Sequence, residues 1–381
     1  MSVMKFKPSK PAKWIADQSA LDNIIPVLSA GPHLAVDTES DSLFAYQEQV
    51  CLIQISTKDT DFIIDTLSLK DFSPLGEIFQ NPGIEKIFHA SEYDILIMHD
   101  DFGFEFRNLF DTMLAAQILG KKKLGLDALL EEYVGIKVNK KYQRANWGKR
   151  PLQDDMLKYA QIDTHYLFQI RNILAEELNT RGLSPMAEED FKRACLVYKQ
   201  VREEKLATFW RIRGAKKLSP QQAAILLKLC NYRDAAAQKI NQPVFKVLSS
   251  QSLLRLAELS PTSVSQLLSL DLVGGKSLRR HAEGLIQAIQ DGSKAPPEYP
   301  PHRERIDDAF LAREKALRHW RKKTALKLDV NSAVVLPRDV LYNVISSNPQ
   351  TKAEVAEVLS DLPWRLERFG EEILSIIKEA K

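Results

Sequence analysis

Residues 33–40, HLAVDTES, decide how the front of this chain is read. An apolar run, Leu34, Ala35 and Val36, leads into Asp37 and Glu39. These acids stand at i and i+2, so on a strand both project from the same face. Two carboxylates at one spot repel unless a cation sits between them, and carboxylate oxygens suit hard ions such as Mg²⁺ or Mn²⁺. An isolated D-x-E is better read as a polar strand end entering a loop, so its meaning depends on what else the chain supplies.

Working outward, VCLIQIST (50–57) and DFIIDT (61–66) are apolar or alternating runs that join the first stretch in a three-strand meander. A helix at about 74–80, a strand EKIFHA (85–90), a helix from Glu92 to about Asp101 and a short strand near 106–109 continue an α/β layer. From Asp111 to about Leu178 the period is helical. Asp111 reads as an N-cap, Gly120 and Gly135 as C-caps, and Pro151 precedes the last and longest helix. Just before it lies KVNKKYQRANWGKRPL (137–152), polar and basic with Tyr142 and Trp147 interleaved.

Two further elements carry chemistry. Tyr159 and Asp163 stand one turn apart on a helix whose Leu157, Ile162, Tyr166, Leu167 and Ile170 mark a packed surface. A carboxylate there needs a partner, and a tyrosine hydroxyl, with an ordinary pKa near 10, can orient a water without readily ionising. Asp94, in FHASEYDILI (88–97), sits where a strand gives way to a helix. Alone it is a first-turn acid favoured by the helix dipole. The ordered set is more specific than any member.

Composition bounds the rest. With 381 residues, 44% hydrophobic and 27% charged, the chain has the make-up of a globular protein of two or three domains. Cys51, Cys195 and Cys230 are far apart in apolar contexts, which predicts reduced thiols with no disulfide partner and no zinc site. No run approaches 18 apolar residues and MSVMKFKPSKPAKW lacks an apolar segment behind its lysines, so the default expectation is a cytoplasmic monomer with no membrane role. Charge is uneven: 23 basic and 29 acidic residues in 1–199, but 14 and 6 in 200–290. The basic middle suits phosphate-backbone attraction, or is simply a solvated helix face.

The segments 200–290 and 300–381 read as all-helical, joined by the linker DGSKAPPEYPPHRE (291–304). At an offset of 88 residues Arg233 falls on Arg321, Lys239 on Lys327, Val247–Leu248 on Val335–Leu336, Pro261 on Pro349, Arg280 on Arg368 and Glu283 on Glu371. Shared leucines alone would mean little, but polar residues in one register indicate a duplicated domain.

Through these residues the chain resembles ribonuclease D, in the tyrosine class of the DnaQ-like 3′-to-5′ exonuclease superfamily, over essentially its full length. VDTES carries the first motif through Asp37 and Glu39, HASEYD the second through Asp94, and YAQID the third through Tyr159 and Asp163. FDTMLAAQILG and NWGKRPL are also similar, and Lys158 occupies the place where a sister class has histidine. The resemblance implies a ribonuclease H-like, DnaQ-like mixed-sheet domain (1–199) with its acids at one edge. Two all-α domains of the helicase-and-ribonuclease-D C-terminal (HRDC) type follow, at 204–290 and 305–381. It also implies two-metal hydrolysis of RNA 3′ ends to nucleoside 5′-monophosphates, in tRNA 3′-end maturation, with Mg²⁺ or Mn²⁺ as cofactor. Asp37, Glu39 and Asp163 would hold one ion, Asp37 and Asp94 the other, and Tyr159 would aim the attacking water.

Thr38, Phe44, Gln54 and His89 are candidates for gripping the terminal nucleotides. His89 is equally read as a satisfied core histidine. Arg213, Lys216, Lys217, Arg279 and Arg280 are candidates for binding RNA phosphates. Deleting 204–381 is expected to weaken binding and leave some hydrolysis of short RNA. Two alternatives stay open: a DNA exonuclease on the same fold, and a non-catalytic nucleic-acid-binding protein with a relict site.

Overall fold

A computed structural model describes residues 10–196, 208–270, 275–301 and 307–380. The expected boundary at 199–204, the end of the linker and the start of the second helical domain at 305 lie outside those residues. Six strands form one sheet in the order β1-β4-β3-β2-β5-β6. They are β1 (Lys13–Ile15), β2 (His33–Ser40), β3 (Val50–Ser56), β4 (Asp61–Asp65), β5 (Glu85–Phe88) and β6 (Leu109–Asp111). The expected meander is present as the neighbours β2, β3 and β4, with β3 and β4 antiparallel and Gln54 opposite Ile63. β1 on β4, β5 on β2 and β6 on β5 are parallel, so the sheet is mixed. β1, only three residues long, escaped the sequence reading because so short a run has no period to detect.

One expectation needs correcting. β2 lies between β3 and β5, so Asp37 and Glu39 stand at the C-terminal end of an interior strand and not at an edge of the sheet. The parallel crossover to β5 is what covers the side that the meander leaves open.

Strand alternation sorts the two faces. Leu34, Val36, Ile53, Ile55, Phe62, Ile64 and Phe88 share a core with residues of α1 (Gln18–Ser29), α2 (Ser73–Gln80) and α3 (Glu92–Phe102). α4 (Thr112–Ile118) and the short α5 (Leu126–Leu129) come next in the chain. On the opposite face Leu52 and Ile63 pack with Trp147, Met156 and Ala160, and Ala35 and Ile87 with Leu167, which brings in α6 (Asp154–His165) and α7 (Leu167–Thr180). The predicted long helix therefore breaks at Tyr166. Thr164 and His165 bind down onto Ser56 and Asp61 and pin the end of α6 to the sheet, while Leu167 seats on β2 and β5. α8 (Ser184–Ala194) completes this layer.

The two helical segments repeat each other. Helices Pro220–Lys239, Ser250–Leu259 and Gly275–Lys294 correspond to Asp308–Leu328, Arg338–Ser347 and Pro363–Glu379. The 88-residue register extends to hydrogen bonds: Arg233 Nη1 donates to the Leu248 carbonyl at 3.2 Å, and Arg321 Nη1 to the Leu336 carbonyl at 3.0 Å. The first four residues of the expected linker, Asp291–Lys294, belong to a helix; the chain leaves it just before Pro296.

The described chain forms two compact units, and their composition was not foreseen. One holds the sheet domain together with the second helical domain; the other holds the first helical domain together with Ser40–Gln49. In the first, Val334 belongs to the sheet domain's core and Leu328, Val330 and Trp364 pack against it. Fully buried Arg365 donates to Glu189 at 2.7 Å, to Asp190 at 2.9 Å and to the Val334 and Val335 carbonyls at 2.8 and 3.2 Å. Deleting 204–381 therefore strips part of the sheet domain's own core and leaves Glu189, itself buried, without its cation. The deletion is therefore expected to destabilise the sheet domain as well as to weaken binding, so that any hydrolysis of short RNA it retains comes from a less stable fold.

Candidate active site

Asp37 and Glu39 share the parity of Ala35, so they face α6 and α7 at the C-terminal end of β2. α6 brings Tyr159 and Asp163 over the same face, its seat fixed by a 2.7 Å hydrogen bond between the Thr164 and Ser56 hydroxyls. Thr38, of opposite parity, is buried on the α3 side and donates its hydroxyl to Asp94. It therefore ties the strand that carries the first two acids to the helix that carries the third.

The turn ahead of α3 is shaped by Asp111. This carboxylate caps α4 through Met113 N (2.8 Å) and Leu114 N (3.1 Å), as the sequence predicts. It also accepts from Ala90 N at 3.1 Å, Ser91 N at 2.8 Å and Ser91 Oγ at 2.8 Å. Ala90 has φ 63°, a left-handed conformation rare for a residue with a Cβ, held in place by these bonds. Asp111 is thus a positioning group for the segment that delivers Asp94.

The four acids act on one another. Burial, then the charges of Asp94, Asp163 and Glu39, raise Asp37 well above the carboxylate range. Burial, then Asp163 and Asp94, do the same to Glu39. Burial pushes Asp94 up to about 7 against the opposing Thr38 hydrogen bond, and burial with Asp94 pushes Asp163 up to about 8. The Tyr159 hydroxyl is raised further above its ordinary value by burial and then by Asp163, Glu39 and Asp37. Asp94 and Asp163 are 7% and 8% exposed, while Asp37 and Glu39 keep more surface, so the cluster is enclosed by protein yet still reached by solvent.

Among the described residues no three His, Cys, Asp or Glu side chains stand in ligating geometry around one point. Uncompensated carboxylates repel, and that repulsion is what a cation removes. The donor set, four carboxylates and no sulfur or imidazole in the mutual interaction, fits a hard divalent ion such as Mg²⁺ or Mn²⁺.

The remaining expected residues are distributed as follows. His89 Nδ1 lies 2.9 Å from the Thr112 hydroxyl, which itself donates to the Phe88 carbonyl at 3.0 Å. Nδ1 therefore carries the proton and Nε2 is a free acceptor; burial lowers the ring's pKa and keeps it neutral. Gln54 is wholly buried with both amide atoms lacking a partner, between Leu52 and Ser56 on the strand face beneath α6. It has no open surface with which to grip a nucleotide. Phe44 lies in the Ser40–Gln49 segment with Lys246 Nζ 4.4 Å above its ring, and Tyr46 there bonds Asp234 at 2.8 Å and Asn241 at 3.1 Å. Arg213, Lys216, Lys217, Arg279 and Arg280 are all exposed on the first helical domain.

Sequence reasoning missed the surroundings of Tyr159. Tyr142 and Trp147 flank its ring at 6.0 and 6.2 Å, and Arg150 locks their loop to Asp65 and to the Cys51 carbonyl. The interleaved aromatics of 137–152 were the available signal. Cys51, Cys195 and Cys230 form no disulfide, and among the described residues no helix is long and apolar enough to cross a membrane.

Residues 12–179 match the 3′-5′ exonuclease family, and 222–289 and 310–377 each match the HRDC domain, both ends of these stretches lying 88 residues apart. The chain carries a 3′-5′ exonuclease domain followed by two HRDC domains. Within that class it is of the ribonuclease D type, with homology running the length of the chain. It is 27% identical to ribonuclease D of Pseudomonas paraeruginosa across 98% of this chain and 100% of that protein. The crystal structure of Escherichia coli RNase D, described as an exoribonuclease involved in structured RNA processing, superposes with a TM-score of 0.71 at 27% identity, covering 97% of this chain and 99% of that one. Protein RRP6-like 1 of Arabidopsis thaliana is 33% identical over 74% of this chain but 46% of its own length, so the chain spans less than half of that longer relative.

Proposed function

We propose that the chain is a divalent-metal-dependent 3′-to-5′ exoribonuclease that shortens RNA 3′ ends one nucleotide at a time, with tRNA precursors as its substrate. The reading rests above all on four carboxylates that three separate elements enclose together beside a single tyrosine, Asp94 raising the pKa of Asp37, Glu39 and Asp163. Such repulsion is costly to keep unless the site works with a cation. Asp37, Glu39 and Asp163 would hold one ion and Asp37 and Asp94 a second; when bound, the pair supplies a water of lowered pKa and stabilises the departing 3′ oxygen.

The chain's own groups do the rest. Tyr159, kept protonated by burial and by the acids around it, donates a hydrogen bond and orients a water instead of accepting its proton. Thr38 steadies Asp94, and Asp111 holds the turn before it. His89, with a free Nε2 acceptor, suits a 2′-hydroxyl donor. The exposed cations of the first helical domain suit the sequence-independent phosphate contacts of a tether.

The test is a matched pair of 5′-labelled oligonucleotides, RNA and DNA, incubated with wild type and Asp37→Ala in Mg²⁺ or in EDTA. Stepwise shortening of RNA from its 3′ end by wild type in Mg²⁺ alone is expected. Equal shortening of DNA would move the assignment to a DNA exonuclease, and no shortening at all would leave a binding protein.

A further inference from the structure

Residues 137–150 contain six basic residues and no acid, inside a segment, 1–199, where acids outnumber bases. Three of the six are committed: Lys137 to Glu131 at 3.2 Å, Lys140 to Asp127 at 2.9 Å and Arg150 to Asp65. Lys141, Arg144 and Lys149 are exposed and have no acidic partner among the described residues. A solvated charge run would not need a rigid frame, but this one has it. Asn139 caps the turn at Lys141 N (3.0 Å), Trp147 is buried, and Arg150 donates to the Trp147 carbonyl at 2.6 Å and the Cys51 carbonyl at 3.0 Å. The frame fixes half-buried Tyr142 with its ring centroid 6.0 Å from that of Tyr159, tilted by 59°. Lys141 Nζ lies 5.0 Å above the Tyr142 ring and donates to its hydroxyl at 3.4 Å, contacts weak enough in solvent for a phosphate to draw the ammonium away.

An aromatic ring beside the catalytic tyrosine, edged by three cations without acidic partners on a preordered loop, is the chemistry that takes an unpaired strand: one group for a base face, the others for successive phosphates. A duplex has no free base face to offer it. We propose that this loop is the rail for single-stranded RNA just upstream of the scissile phosphate, with Tyr142 as the stacking platform and Lys141, Arg144 and Lys149 as phosphate contacts. The proposal rests on the exonuclease reading for its direction, and it assigns a binding surface within the exonuclease domain itself. RNA with its 3′ end in a helix must fray before it engages, so structured ends are degraded more slowly than loose ones.

The experiment uses the full chain as wild type, Tyr142→Ala, Tyr142→Phe and the triple Lys141→Ala, Arg144→Ala, Lys149→Ala. Two substrates are compared: a single-stranded RNA decamer, and a p-nitrophenyl ester of a 5′-mononucleotide, which has no upstream nucleotide. Tyr142→Ala and the triple variant are expected to raise the decamer KM about tenfold, with ester turnover unaltered. Tyr142→Phe is expected to behave as wild type, because stacking needs the ring and the hydroxyl's 3.4 Å contact with Lys141 is long and exposed. The triple variant should also flatten the dependence of log KM on log salt by about two, at about 0.7 per single-strand phosphate contact. An unchanged decamer KM overturns the rail. So does an equal loss on both substrates, which would make Tyr142 a packing neighbour of Tyr159. Decamer binding to each variant in EDTA, followed by fluorescence anisotropy, keeps the two readings apart. If wild type fails to shorten RNA yet the variants lose decamer binding, the exonuclease assignment falls and the rail stands.

Discussion

The two helical domains differ most at one equivalent position. In the first, Ser277 donates its hydroxyl to the Val247 carbonyl; in the second, 88 residues on, Arg365 donates to the Val335 carbonyl. Both satisfy the same backbone group, but only the arginine is long enough to continue to Glu189 and Asp190 of α8. The first domain closes its own core around Leu226, Leu229, Leu253 and Leu285 and gathers in residues 40–49. The second shares its apolar surface with the exonuclease core. One fold thus serves as a module in one copy and as a structural part of the enzyme in the other, and a single side chain marks the difference.

The comparison can be broken most forcefully at Arg365. Its replacement by alanine leaves buried Glu189 without its cation and half-buried Asp190 with Arg193 alone, which should cost about 3–5 kcal/mol and lower the melting of the exonuclease domain and second helical domain together. Separate melting of those two domains, with the exonuclease transition unmoved, would dissolve the distinction.

Metal comes next. The raised carboxylates favour the folded state fully only below their unfolded pKa, and that contribution is lost as pH climbs through about 7 to 8. Metal-free protein should accordingly melt at a lower temperature at about pH 8.5 than at about pH 6. Mg²⁺ or Mn²⁺ at a hundredfold excess over Kd should restore about 2.7 kcal/mol, and one fixed metal concentration should restore more at the higher pH, where the ligands are deprotonated and Kd is lower. Calorimetry should show this in the unit that contains the exonuclease domain and not in the first helical domain. Ser277→Ala should cost only about 0.5–1.5 kcal/mol, measured by urea unfolding, since it removes one ordinary hydrogen bond. Smallest of all, Arg279→Gln with Arg280→Gln should reduce the salt slope of RNA binding by up to about 1.4 while leaving stability unchanged. The same test at Arg368, the counterpart of Arg280, should do less.

Much of this was legible in the chain. The strand-borne Asp37 and Glu39, the helix-borne Tyr159 and Asp163, the Asp111 cap and the 88-residue repeat all express local periodicity, which survives in one dimension. What stayed hidden depends on contacts distant in sequence. Nothing local to Arg365 says that it meets α8, 175 residues earlier. Ser40–Gln49 reads as a loop between strands and yet folds with a later domain. Gln54 looks like an exposed-face residue of an alternating strand, but α6 closes over it. Its complete burial, and not the state of its amide atoms, is what sets it apart from the nucleotide contact its residue type suggested.

The proposed function requires Asp37, Glu39, Asp94 and Asp163 to share cations beneath Tyr159. Anomalous diffraction from crystals soaked in Mn²⁺ with a nucleoside 5′-monophosphate tests this most directly. Two manganese peaks about 3.5–4 Å apart, bridged by Asp37 and absent in Asp37→Ala, are the predicted result. Saturating Mn²⁺ that leaves the four carboxylates without a peak between them, or binds elsewhere on the chain, would contradict it.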